Sequence, residues 1–467
     1  MWLYRRLPAL ARVAVRFFYR FEAGGEAVPG AGPVLLVANH PDAMLDPLLV
    51  AAAARRPLRF LAKAPLFTYP LLGPLVRAAG AIPVYRRRDD PALAGRNAAS
   101  LAAASEALAA GDAVALFPEG ISHDHPALAE LKTGAARVAL GAAQRLGHAV
   151  PIVPLGIVPR HKETFRSEVA VIVGAPIPWD DLASAAAAAE SGDAGLVRAL
   201  TERLEEGLRR VTLNLERWED APLVECAEAV YAVEHGASPA PADRLERLRV
   251  TTEALADVRR GRRPEIAGLV RAVRRHQRIL ARLHLAPADL HTGLRMETAV
   301  AWTLRRLPLL TLPLVALAAV GLAAWWIPYR LTGALVTLLQ PERDIAATYK
   351  FGVGAGVFAL WLLVLTGLAG ALAGPGVGAI CLLGLPALGL LALGIHERWA
   401  DAWLEARRFF LLRREPQLLR HLRREQRELG ERLARAVPPP SPPPPPPVRA
   451  PGSAPARPSP SLPLPRA

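Results

Sequence analysis

The chain has 467 residues, with 57 basic against 42 acidic side chains and a formal net charge of +15. Its hydrophobic share is 52% and its mean hydropathy is positive, at +0.21; together with basic residues that flank apolar segments and the lack of an aromatic-basic platform, this argues for a membrane rather than a nucleic-acid partner. Two cysteines, Cys226 and Cys381, exclude a disulfide framework and favour a cytoplasmic setting for the soluble part. The length predicts two or three domains.

Residues 1–30 open the chain with apolar and aromatic residues at helical spacing, interrupted by Arg5, Arg6, Arg12 and Arg16. These arginines break the continuous apolar region that a signal peptide needs. The segment reads as a basic amphipathic helix, either on a membrane surface or packed on the domain that follows.

The run Pro33 to Ala38 reads as a buried parallel strand, and Asn39-His40-Pro41-Asp42-Ala43-Met44-Leu45-Asp46-Pro47 follows it. His40 and Asp46 are therefore expected just past a strand's C-terminal end, where open α/β sheets hold their ligands. A histidine there can take a proton from an attacking hydroxyl, and a carboxylate on its other ring nitrogen fixes the tautomer. An offset of six residues puts the two on different faces of a regular helix, so the segment is expected as a turn or as a helix starting at Pro41. Asp42 is the alternative partner for His40.

Three further apolar runs end in polar turns. Gly80 to Arg86 is a strand delivering Arg86, Arg87 and Arg88; Val114 to Ser122 runs through Phe117-Pro118-Glu119-Gly120; Pro151 to Ile157 is the last. Only four of the basic residues are lysines: Lys63, Lys132, Lys162 and Lys350. A lysine surviving such arginine dominance is a candidate for a specific task. Lys63 follows the strand Leu58 to Ala62, and Lys132 and Lys162 follow the later blocks, where they could line an anionic site or remain ordinary surface lysines. His123, Asp124 and His125 lack a supporting Cys or Glu-x-x-His pattern and read as a polar loop, so no metal site is expected.

The four blocks, in this order and spacing over residues 30 to 180, resemble the glycerophospholipid acyltransferase family. The resemblance implies an α/β fold with a mostly parallel central sheet flanked by helices over residues 31–180. It implies His40 as general base and Asp46 as its orienting partner. It also implies Arg86 as a ligand of an acceptor phosphate, and Glu119 and Gly120 as shapers of the acceptor site. Asn39, Lys63, Ser122 and Lys132 complete the candidate binding set. Backbone N–H donors near the loop after Asn39 are expected for the oxyanion. A phosphate dianion suits a forked guanidinium. No nucleophilic serine or cysteine is required, because the donor thioester (acyl-CoA or acyl carrier protein) is already activated, and no cofactor is implied.

Two departures from the family pattern matter. Five residues separate His40 from Asp46 where four are usual; some members resembling fungal glycerol-3-phosphate/dihydroxyacetone-phosphate acyltransferases share the longer spacing. Ile121 and Ser122 stand where many members have a small residue and an arginine, and Leu131 to Arg137 could supply a replacement phosphate ligand.

Residues 181–300 are rich in Ala, Leu, Arg and Glu at helical spacing, clearest in Leu196 to Trp218 and Ala242 to Arg260. Over 301–396 the composition becomes that of a transmembrane region. Leu307 to Pro328 is long enough to cross a hydrocarbon core, and Phe351 to Ile395 lacks any charged residue. The second run predicts a helical hairpin turning at Gly374-Pro375-Gly376. Arg-rich flanks on both sides favour an even number of crossings, which requires Leu307 to Leu339 to re-enter, bent near Pro328, with Gln340 to Asp344 as a cytoplasmic loop. Residues 397–437 read as a basic amphipathic helix on the anionic leaflet or in a coiled coil. Residues 438–467 read as a disordered Pro-rich tail.

The resemblance and the membrane region together imply an integral-membrane O-acyltransferase of phospholipid biosynthesis, its catalytic domain on the cytoplasmic side of the inner membrane. The acceptor would be glycerol 3-phosphate or dihydroxyacetone phosphate, or alternatively 1-acylglycerol 3-phosphate or another lysolipid. A lipid hydrolase and a non-catalytic membrane scaffold are the readings from other classes.

Overall fold

The computed structural model describes residues 2–436 apart from 71, 87–90, 163, 189–192, 292–311 and 341–344. Arg87 and Arg88, most of the Gln340 to Asp344 loop and the Pro-rich tail lie outside the described residues.

Seven strands form one sheet: β1 (Arg20–Gly25), β2 (Val34–Ala38), β3 (Arg59–Lys63), β4 (Ile82–Val84), β5 (Ala113–Leu116), β6 (Ile152–Pro159) and β7 (Glu168–Val173), in the order β1-β7-β6-β2-β5-β3-β4. All neighbouring pairs are parallel except β6 with β7. The mostly parallel sheet is thus as expected. β2 sits in the middle with every residue buried, which is why it reads as a continuous apolar run rather than an alternating one.

The side-chain period of two divides these strands between two cores. Leu35 and Val37 point to one face, Leu36 and Ala38 to the other. The second face is covered by α1 (Trp2–Phe18) and α2 (Leu45–Ala54). The short α3 (Leu72–Ala78) precedes β4. The first face is covered by α4 (Asn97–Ala109), α5 (Gly134–Leu146), α6 (Asp180–Ala188) and α7 (Ala194–Val211).

Two sequence expectations shift here. Only Trp2–Phe18 of residues 1–30 is helical, and Ala11, Val15 and Phe18 are buried against the domain. The chain then enters the sheet as edge strand β1, held by backbone pairing to β7. The domain also extends past residue 180, because Val197, Leu200, Leu204 and Leu208 of α7 complete the first core.

Beyond it, α8 (Ala221–His235), α9 (Pro241–Arg259) and α10 (Ala267–Leu283) form a helical unit with its own apolar core. The buried Arg247 donates to Glu228 Oε1 from both Nε and Nη2, at 2.9 and 2.7 Å.

Among the described residues, three helices are long and apolar enough to cross a membrane: α11 (Leu312–Leu339), α12 (Ala346–Ala373) and α13 (Pro375–Arg414). In their most apolar windows only 17%, 0% and 17% of residues are buried inside the protein, so these helices are not a soluble core. Between α12 and α13 the chain turns at Gly374, whose φ of +96° suits a residue without Cβ. The re-entrant reversal at Pro328 does not form; α11 continues as one helix past it. A proline lacks the N–H that would bond the carbonyl four residues back. Here the Trp361 indole donates to that carbonyl, Ala324 O, at 2.8 Å, so the acceptor that the proline leaves without its helical partner is satisfied.

Residues 397–436 differ from a single surface helix. α13 ends at Arg414, and α14 (Pro416–Ala436) follows a break at Glu415 and Pro416. The apolar stripe of α14 faces neither leaflet nor coiled coil. Leu429, Leu433 and Ala436 pack on α8, and Leu419 and Leu422 pack beside α10.

Candidate active site

β2 ends at Ala38, and the next two residues carry the first contacts of the site. The Asn39 side chain pairs with the β6 backbone like an extra strand residue: Nδ2 donates to Ile157 O at 3.0 Å, and Ile157 N–H donates to Oδ1 at 2.7 Å. Both ends of the amide thus help to hold the turn.

The turn is not helical at Pro41; α2 begins at Leu45, with Asp46 in its first turn. That geometry resolves the six-residue offset. His40 Nδ1 lies 2.7 Å from Asp46 Oδ2, and the Asp42 N–H donates to the same oxygen at 2.7 Å. Asp46, not Asp42, is the partner. Asp46 is 0% exposed, whereas the His40 side chain keeps 16%. Burial pushes the Asp46 carboxyl above the ordinary carboxylate range, against the opposing pull of the His40 hydrogen bond and the nearby Lys162 charge. The His40 ring stacks on Phe117, with centroids 4.1 Å apart and planes at 11°. The imidazole is thus fixed by packing as well as by hydrogen bonding, and its Nε2 has no partner among the described residues.

The second turn leaves β5. Glu119 is 1% exposed, and its carboxylate holds three segments. Oε1 accepts from the His40 backbone N–H at 2.7 Å. Oε2 accepts from the Ala129 N–H at 2.8 Å and contacts His123 Nε2. The His125 N–H donates to His123 Nδ1 at 3.1 Å, so Nε2 is the nitrogen that carries the proton to Glu119. Gly120 adopts φ +71° and turns the chain back.

Charged candidates gather on the same edge. Arg86 Nη1 donates to Gly120 O at 3.0 Å. The Lys132 N–H donates to Pro118 O at 2.7 Å, which sets this exposed lysine beside the same turn. Ser122 is half-buried two residues past Gly120. Lys63 ends β3 on this edge, exposed and two strands from β2. Lys162 Nζ donates to Pro41 O at 2.9 Å and pairs with Asp124 at 2.8 Å. Lys162 O accepts from the buried Tyr19 hydroxyl at 2.6 Å, and burial followed by the Asp42 and Asp46 charges raises that phenol.

Three N–H groups of the first turn are already engaged within the protein. The N–H groups of His40, Asp42 and Met44 are bonded to Glu119, Asp46 and Thr348.

Sequence reasoning missed the contacts made by the apolar helices. Phe351 of α12 meets Phe18 edge-on at 5.8 Å. Arg166 donates to Arg16 O at 2.6 Å and makes a forked pair with Glu397 of α13, at 2.6 and 3.1 Å. Both open ends of the α12–α13 hairpin thus touch the sheet domain. Only the position of Glu397, directly after a charge-free run, could have hinted at one of these contacts.

Known proteins resemble this chain over the sheet domain. Residues 20–158 match the family model "Acyltransferase". Glycerol-3-phosphate O-acyltransferase 1 of Saccharomyces cerevisiae is 34% identical over 129 residues, 27% of this chain and 17% of that protein. Glycerol-3-phosphate O-acyltransferase 2 of the same yeast is 32% identical over 130 residues, 28% of this chain and again 17% of its own length. The chain therefore spans about a sixth of the length of these curated relatives. The crystal structure of the 1-acyl-sn-glycerophosphate (LPA) acyltransferase PlsC from Thermotoga maritima aligns over 44% of this chain and 78% of that one, at 21% identity and a TM-score of 0.32. The match to the acyltransferase family model thus takes in both His40 and Asp46.

Proposed function

We propose that this protein is a membrane O-acyltransferase that moves a fatty acyl chain from acyl-CoA or acyl carrier protein to glycerol 3-phosphate or dihydroxyacetone phosphate. The carrying observation is the buried Asp46 carboxylate on His40 Nδ1, which leaves Nε2 open at the C-terminal sheet edge. The resemblance to the two yeast glycerol-3-phosphate O-acyltransferases supports the choice of acceptor. A 1-acylglycerol 3-phosphate acceptor is the second reading, since the apolar hairpin beside the site suits an acceptor that already carries a chain.

His40 takes the acceptor hydroxyl proton on Nε2 as the oxygen attacks the thioester carbonyl. Asp46 keeps Nδ1 protonated and stabilises the imidazolium that forms. Collapse of the tetrahedral adduct makes the ester bond and breaks the carbon–sulfur bond. The imidazolium returns its proton to the departing thiolate, so ester and free thiol are released in equal amounts. Arg86, Lys132 and Lys63 supply positive charge for the acceptor phosphate or the phosphates of the donor. Asn39 and Glu119 hold the two turns in register, and Gly120 allows the second to fold back.

The helices α11, α12 and α13 anchor the domain at a cytoplasmic membrane face, so that the lipid product leaves sideways into the leaflet. The docked ends of the α12–α13 hairpin support one side for the sheet domain and both hairpin termini.

The test uses the full chain in mixed micelles with labelled acyl-CoA or acyl carrier protein and each of the three acceptors, for the native chain and His40→Ala. Acyl ester formation that disappears in the variant is expected, and the preferred acceptor names the substrate. Fatty acid released without acceptor would indicate a hydrolase. No acylated product from any donor–acceptor pair would refute the phosphate-acceptor reading.

A further inference from the structure

We infer that Thr348, in the first turn of α12, is a positioning residue for His40, so that the apolar hairpin sets the geometry of the base. This deepens the acyltransferase reading and rests on His40 being the base.

The Thr348 hydroxyl donates to Asp42 Oδ1 at 2.7 Å and accepts from the Met44 N–H at 3.0 Å. It therefore pins both ends of the turn between His40 and α2. The Asp42 N–H donates to Asp46 Oδ2 at 2.7 Å, the same oxygen that faces His40 Nδ1 at 2.7 Å. Hydrogen bonds thus link the hairpin to Asp42 through its carboxylate, and Asp42 to the base's partner Asp46 through its backbone N–H, the two aspartates being 2% and 0% exposed.

The hydroxyl is held where it is by packing. Ala347 is 0% exposed within the core that also contains Leu45 and Leu49 of α2. Phe351, one turn further along, lies against Phe18. The Arg166–Glu397 fork ties the other end of the hairpin to the same domain. A threonine on a helix is restricted to two χ1 rotamers, and the bonds to Asp42 and Met44 select the one observed once the helix is fixed.

Without the hydroxyl, Asp42 Oδ1 and the Met44 N–H lose their shared partner, and the turn that aims Asp46 loosens. General-base catalysis is sensitive to such aim, because the proton acceptor must lie within hydrogen-bond reach of the hydroxyl. A substrate-binding role would instead move KM.

The experiment compares full-length native chain, His40→Ala, Thr348→Val, Thr348→Ser, Thr348→Ala and Thr366→Val in mixed micelles, with labelled acyl-CoA and whichever of the three acceptors is turned over. Thr366 lies on the same hairpin and donates to Leu362 O of its own helix at 2.8 Å, so it controls for hydroxyl loss as such. Thr348→Val is expected to lower kcat about ten- to a hundredfold, part of the factor a general base supplies. KM for the acyl donor is expected to stay within about twofold, since the chemical step and not uniform binding is affected. Thr348→Ser should recover most of kcat, and Thr366→Val should match the native chain. Should Thr348→Val fail to accumulate, the Ala and Ser variants decide in the same way. A native kcat in the Val or Ala variant, with His40→Ala inactive, would overturn the inference and leave the acyltransferase reading standing. Equal losses in the Ser and Ala variants would overturn the role of the hydroxyl. Full activity in His40→Ala would overturn the reading itself.

Discussion

Two histidine–carboxylate pairs stand side by side at the sheet edge, and they differ in what is left over. His40 gives Nδ1 to Asp46 and has no described partner on Nε2. His123 gives Nε2 to Glu119 and accepts the His125 N–H on Nδ1. The first ring has a nitrogen available for chemistry, whereas the second is fully used in holding a turn. Residue type alone does not separate a base from a strut; the count of occupied ring atoms does.

The largest expected effect separates the pairs by function. His40→Ala should lower kcat by about 10²–10⁴-fold, the usual contribution of general acid–base catalysis. His123→Ala should retain far more activity. Comparable kcat losses in the two variants would erase the distinction.

Next comes Glu119, which serves both turns. Glu119→Ala removes the acceptor for two backbone N–H groups and one imidazole, all in a buried setting. Breaking a buried network of this kind costs about 3–5 kcal/mol. Chemical denaturation of detergent-solubilised protein measures it, and a cost under 1 kcal/mol would mean that the turns hold each other by other means.

Asn39→Ala sharpens the comparison from the scaffold side. It leaves the Ile157 N–H and C=O without their side-chain partner, an expected loss of about 1–3 kcal/mol. Activity should fall through instability and recover at lower temperature. A defect confined to KM would instead assign Asn39 to the ligand.

The smallest effect concerns pH. Burial raises the Asp46 carboxyl, so its neutral form contributes stability that is complete below the ordinary carboxylate range and lost as pH rises through the folded value. Asp46→Asn removes that loss. Its melting temperature relative to the native chain should therefore shift in the variant's favour as pH rises from the ordinary carboxylate range, even as activity falls. A shift of opposite sign would mean that pairing with His40 outweighs burial.

Much of the sheet domain was legible because its signals are local. Fully buried β2 and β5 read as apolar runs, and the turns after them hold His40 and Glu119 within a few residues of each strand. Chain reversal at Gly374 was equally local. The rest depended on distant contacts. Thr348 reaches Asp42 across 306 positions, and Arg166 reaches Glu397 across 231, separations that leave no periodicity to read. The amphipathic patterns of α1 and α14 specified an apolar stripe without saying whether lipid or protein would cover it. Pro328 misled for the same reason: its repair comes from Trp361 on another helix.

The central claim, that His40 is the base and has an open ring nitrogen, is tested most directly by diethyl pyrocarbonate modification of the full chain in micelles, with sites mapped by mass spectrometry against acyl-transfer activity. Inactivation should track a single modification at His40, slowed by acyl-CoA, with His123 modified late. Complete inactivation while His40 stays unmodified, or full activity once it is modified, would contradict the account.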